Sequence, residues 1–185
     1  MLITHEREKL INSIIFFANH TRHLGKIKLW KLLYLLDFEH YRDTGRSVTG
    51  LEYCAWKKGP VPVALHNEIE APQADLSEKV HLNLYPCEVG TALVVTPKVD
   101  FDSSLFSKRE LRLMHKLAED FKFTQANDMI ERTHLENEPW HKVYVVQERK
   151  QQVIPYELAS RAQEQEAVQS LHVERSEIIH NFASV

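Results

Sequence analysis

The first strongly patterned stretch is Leu10 to Ala18, where Leu10, Ile11, Ile14, Ile15 and Ala18 recur at three- and four-residue steps. That spacing predicts an amphipathic surface helix capped by Thr4. Glu6 and Glu8 stand in its first turn, where unpaired N–H groups favour negative charge. A second helix is predicted over Lys26 to Asp43. Ile27, Leu29, Trp30, Leu32, Leu33, Tyr34, Leu35, Leu36, Phe38 and Tyr41 make it apolar on nearly every side, the pattern of a helix surrounded by neighbours. Gly45 stands where a left-handed residue would end it.

The period changes after Val48. Tyr53 to Lys57 reads as a short strand, and Gly59-Pro60-Val61-Pro62 cannot be helix interior. Pro62 opens a short helix through Ile69, and Ala71 to Asp75 reads as loop. Lys79 to Tyr85 and Ala92 to Pro97 are predicted to pair as a β-hairpin turning near Pro86 to Gly90. Ser107 with Glu110 is a capping box, and Phe106 with Leu111 is spaced for a hydrophobic staple, so a helix follows over Lys108 to Phe121 with Leu111, Met114, Leu117, Ala118 and Phe121 inward. Thr124 is expected to cap another helix carrying Ala126, Met129, Ile130 and Thr133, and Glu138-Pro139-Trp140 to begin one more turn.

Beyond Gln147 the composition turns to Gln, Glu and Arg. The stretch is expected to be a solvated connection and a C-terminal helix packed through Leu158, Ala162, Val168, Leu171, Ile178 and Ile179. The chain of 185 residues thus divides into a domain at 1–146 and an arm at 147–185, mainly α with a small β-hairpin or short sheet around the buried second helix.

Charge sharpens this picture. Residues 1–60 hold 10 Lys and Arg against 6 Asp and Glu, while the whole chain carries a net charge of −3, so the remainder is acidic. A basic first part and an acidic second part suit contacts with protein at least as well as with nucleic acid. No apolar run is long enough for a membrane span, and Met1 to Leu10 lacks the apolar core of a signal peptide, so the cytoplasm is the expected compartment. Cys54 and Cys87 read as buried free thiols.

Candidate chemistry adds little. The 11 histidines include the pairs His20 with His23 and His134 with His141, but neither has the spacing of a zinc site, and no metal or cofactor is expected. No GxSxG, GxGxxG or phosphate-loop pattern is present, and Glu136 and Glu138 beside His134 and His141 suit a helix N-terminus better than acid–base catalysis. An enzyme is therefore not expected. Lys108 to His134 has the rhythm of a helix-turn-helix, yet Asp128 and Glu131 against Arg132 make its second helix a poor surface for phosphates. The residue group that stands out is Tyr53, Trp56, Lys57, Lys58, Gly59, Pro60 and Val61. It suits either a packed strand with a rigid turn or a binding ridge of aromatic and basic side chains.

Lys28-Leu29-Trp30-Lys31-Leu32-Leu33-Tyr34-Leu35-Leu36-Asp37-Phe38, then Gly45-Arg46, Val48-Thr49-Gly50 and Tyr53 through Pro62, resemble in order and spacing the Panacea-domain antitoxins, the SocA-like and phage GepA-like group. Ser107, Glu110, Thr133-His134 and Pro139-Trp140 resemble that family's second half, so the match spans about residues 8–145. Lys28, Leu32, Leu33, Tyr34, Asp37, Pro139 and Trp140 are its motif core. The resemblance implies a helical antitoxin of a type II toxin–antitoxin pair, acting by direct binding to a toxin encoded nearby, in a prophage or phage-defence setting. It equally allows a proteolytic adaptor. A homodimer through the C-terminal helix and an autoregulatory DNA contact are the other partner expectations, and residues after Gln147 are expected to contribute to toxin choice.

Overall fold

The structure is a computed structural model that describes residues 5–87, 90–135 and 138–159. Its element order is α1 (Glu6–His20), α2 (Lys26–Thr44), β1 (Cys54–Trp56), β2 (Gly59–Val61), α3 (Val63–Glu68), α4 (Ala74–Lys79), β3 (Val80–Cys87), β4 (Gly90–Pro97), α5 (Lys108–Asp120), α6 (Ala126–Thr133) and α7 (Pro139–His141). A π-type turn continues α7 over Lys142–Val146, and 3-10 turns occupy Ser103–Leu105 and Tyr156–Ala159. Helices thus dominate, with two antiparallel two-stranded sheets, β1–β2 and β3–β4.

α2 is the spine. Every residue from Lys28 to Phe38 is buried, and α1, α5, α6, β2 and the Tyr156–Ala159 turn pack around it. Gly45 ends it at φ 67°, with its N–H on the Tyr41 carbonyl, a conformation glycine adopts without steric cost. α1 departs from expectation. Leu10 to Phe17 form eight consecutive buried residues, so its middle is surrounded rather than lying on the surface. Asn12 is accommodated there because its amide donates to the Glu8 carbonyl and its oxygen accepts from the Asp102 N–H. Residue 4 lies outside the described residues, and the N-cap position is His5, without a side-chain cap bond.

The capping box on α5 forms as expected, with Glu110 accepting from the Ser107 N–H at 2.6 Å. Glu110 is buried and is paired with Lys9 at 2.6 Å, which fastens α5 to α1. Arg7 ties the same helix to α3 and α4 through Glu68 and Asp75. These two carboxylates hold its guanidinium firmly charged. α4 occupies the end of the stretch expected as loop, beginning at Ala74, and Gln125 rather than Thr124 is the N-cap of α6. The β3–β4 register runs from Val80 opposite Pro97 to Cys87 opposite Gly90.

The return of the chain after Gln147 differs most from expectation. Gln151 donates to the Ala55 carbonyl, Ala55 to the Gln152 carbonyl, and Ile154 to the Tyr53 carbonyl, so the segment lies against β1. Ile154 is 1 % exposed, and Tyr156 stacks on Tyr41 and donates to the Leu51 carbonyl. Residues 147–153 are exposed, as expected of a solvated connection, although their backbone bonds to β1; Ile154 and Tyr156 then pack into the body, and Leu158 packs on the core as expected. Ala162, Val168, Leu171, Ile178 and Ile179, expected as packing residues of the arm, lie outside the described residues.

Candidate protein-binding site

Three charged side chains on the buried spine each hold a distant loop by its backbone. Lys28 donates to the carbonyls of Arg22 at 2.7 Å and Lys122 at 3.2 Å, joining the α1–α2 loop to the end of α5. Asp37 accepts from the Val48 and Thr49 N–H groups at 2.8 Å, and from the hydroxyls of Thr49 at 2.5 Å and Tyr53 at 2.7 Å. Burial pushes the Asp37 carboxyl up, while these donors pull it back down. Lys31 donates to the Pro60 carbonyl at 2.7 Å.

Lys31 is 1 % exposed, and among the described residues no carboxylate pairs with it. Burial alone pushes its amine down to about 7. Its neighbourhood explains Gly59, whose φ is 98°. A Cβ there would lie 2.8 Å from the Lys31 Cε and Nζ and 3.0 Å from the Thr133 hydroxyl. Glycine is required both by the backbone and by the closeness of the spine.

The β1–β2 hairpin so anchored turns at Lys57 and Lys58, with Trp56 opposite Gly59. The Trp140 indole donates to the Trp56 carbonyl at 2.9 Å, tying α7 to the hairpin. His134 lies flat on Trp140, with ring centroids 3.7 Å apart and planes 2° apart, and Tyr144 continues the stack on Trp140 at 4.7 Å. The His134 imidazole is pushed down to about 4 by burial, then by Lys31 and His141. Tyr34 is buried close to the Trp140 backbone, without a well-aligned hydrogen bond, and burial pushes its hydroxyl up.

Of the residues expected to meet a partner, Tyr53, Gly59, Pro60 and Val61 are buried. Tyr53 belongs to the Asp37 hub, and Pro60 spends its carbonyl on Lys31. Trp56 is half-buried, edge-on to His66 at 5.3 Å, and Lys57 and Lys58 are exposed without an ion pair among the described residues. The reachable part of the ridge is therefore its tip. Lys28, Leu32, Leu33, Tyr34, Asp37, Pro139 and Trp140 are all buried, as befits a motif that specifies a scaffold. His66 under Trp56 and the His134 stack carry no signal in composition; Thr133-His134 and Pro139-Trp140 stood out as motif pairs, not as neighbours of Lys31.

A family model described as antitoxin SocA-like, Panacea domain, matches residues 29–141, more than half of the chain. The chain belongs to this family. No curated protein and no solved structure matches it. The matched span contains the spine from Leu29 onward, the Asp37 hub, the hairpin and α7, and so takes in the buried clamps that Lys31, Asp37 and Trp140 place on loop backbone. An antitoxin-like domain is thereby established. Among the described residues no three His, Cys, Asp or Glu are placed to hold a metal, the Cys54 thiol is half-buried, and no helix is long and apolar enough to cross a membrane. α6 pairs its one basic residue, Arg132, with Glu138 at 3.8 Å, which leaves it poorly suited to phosphate.

Proposed function

We propose that this Panacea-domain protein is the antitoxin of a type II pair and neutralises a protein toxin, encoded nearby, by binding it directly. The tip of the β1–β2 hairpin, Trp56 with Lys57 and Lys58, is the contact surface in this reading. The observation that carries it is the contrast between Lys57 and Lys58, exposed and without an ion pair among the described residues, and a base that is fixed at several points, by Lys31 on Pro60, Trp140 on Trp56 and Asp37 on Tyr53. A rigid support lets an aromatic and basic tip bind with little ordering cost. The lysines supply orientation toward an acidic face, and the indole supplies apolar area.

The test is growth of cells expressing the adjacent gene product with and without this chain, followed by copurification from rescued cells. Rescue with a stable pair is the expected result. Toxicity without rescue or binding would remove direct neutralisation and leave the family membership intact.

A further inference from the structure

Beside the hairpin, on the far side of the returning segment, lies a groove of about 510 Å³ whose lining includes Val143, Arg149, Val153, Pro155 and Leu158. Apolar side chains and the polar side chains of Gln147, Gln152 and Arg149 share its lining. Val143 and Leu158 line it at 1 % exposure and half-burial, and Val153 stands 45 % exposed beside them. Two non-glycine residues, Glu148 and Gln151, hold φ of 54° and 62° to shape the turn that carries Arg149 and Lys150. Such conformations cost energy and cluster where a surface is used.

Among the described residues the backbone is also open here. Val153 faces Cys54 as an isolated antiparallel bridge, flanked by bonds from Ile154 to Tyr53 and from Ala55 to Gln152. That is a non-hydrogen-bonded pair, so the N–H and C=O of Val153 itself point away from β1, and neither has a partner among the described residues. The register places the Glu148–Arg149–Lys150 turn toward the Lys57–Lys58 end of the hairpin, so basic residues outnumber the one carboxylate of that turn at the end of the groove that Arg149 lines.

We infer that this groove binds an extended segment of a partner protein that carries apolar side chains flanked by carboxylates. The apolar side chains enter over Val143 and Leu158, the segment's backbone pairs with Val153, and its carboxylates meet Arg149 and Lys150. This rests on the antitoxin reading and deepens it: the hairpin tip and the groove form one surface, and the partner presents an acidic, apolar strand to it.

A toxin-free experiment tests the inference. A short peptide of alternating leucine and glutamate is titrated into the isotope-labelled full chain while the backbone amides are followed by NMR. Saturable shifts are expected at Arg149, Gln152 and Val153, with affinity falling about tenfold in Arg149→Glu/Lys150→Glu. A leucine–lysine peptide and a serine–glutamate peptide are expected to give none. Absence of saturable shifts, or equal shifts from the leucine–lysine peptide, overturns the inference. Contacts of the Val153 methyls with residues 160–185 in the peptide-free chain overturn it as well, since the groove is then filled from within. Because the toxin is absent, failure here leaves copurification and rescue untouched, and loss of rescue with peptide binding intact counts against the antitoxin reading alone.

Discussion

The Lys31 amine reaches 29 residues along the chain to the Pro60 carbonyl, 2.7 Å away, from inside a helix that is buried on every side. A buried amine without a carboxylate is costly, and here its hydrogen bond goes to the backbone of the very turn that presents Lys57 and Lys58.

A pH dependence follows. Burial lowers the Lys31 pKa from 10.5 to about 7, so between those values the unfolded chain binds a proton that the folded chain does not. Stability therefore rises with pH across that window, by up to about 1.4 kcal/mol per pH unit from this group. Urea denaturation of the wild type and of Lys31→Met from pH 7 to 10 checks it. The slope contributed by Lys31 is expected to vanish in the variant, and parallel curves would show that the amine is not protonated on unfolding.

Tyr53 is expected to be support rather than contact. Tyr53→Phe removes one donor from the Asp37 carboxylate and should cost about 1 to 3 kcal/mol. Asp37→Ala strands two buried N–H groups and two hydroxyls and should cost about 3 to 5 kcal/mol. Chemical denaturation gives the two values, and equal small losses would mean that water replaces the hub.

Gly59→Ala and Gly50→Ala separate backbone strain from crowding. Both positions have positive φ, at 98° and 70°, but Gly59 also meets buried Lys31 and Thr133, whereas Gly50 meets the side chain of exposed Glu6. Gly59→Ala should cost about 3 kcal/mol and Gly50→Ala about 1. Thermal melts of the two variants decide the order.

The segment after Gln147 should be indispensable to the fold. Ile154→Ala empties a buried site and is expected to cost about 2 to 4 kcal/mol. A chain ending at Gln147 loses Ile154 together with the Tyr156 stack on Tyr41 and should melt well below the full chain. An unchanged melting temperature in either would show that the returning segment is dispensable.

What the sequence made legible was local. The capping box of Ser107 and Glu110, the left-handed Gly45 and the all-round apolar pattern of α2 each depend on residues a few positions apart. Gly59 and Pro62 excluded helix interior between them, but the stretch read as a rigid turn after one strand, whereas Gly59–Val61 is itself a strand paired with β1. The uses of Lys31 and Lys28 were hidden, since their partners are backbone carbonyls 29 and up to 94 positions away and a carbonyl leaves no trace in residue type. Tyr53 looked like a ridge residue for the same reason: its partner, Asp37, sits on another element. Ile154 and Tyr156 were masked by the polar residues around them, and the middle of α1 is buried although Asn12 and Ser13 interrupt its apolar pattern.

The central claim, that the hairpin tip contacts the partner while the spine supports it, is tested most directly by the affinity of the adjacent gene product for three forms of the chain. Wild type and Tyr53→Phe are expected to bind alike. Lys57→Glu/Lys58→Glu, with an unchanged circular dichroism spectrum, is expected to bind at least about tenfold more weakly. Full affinity in the folded charge-reversed variant would contradict the account.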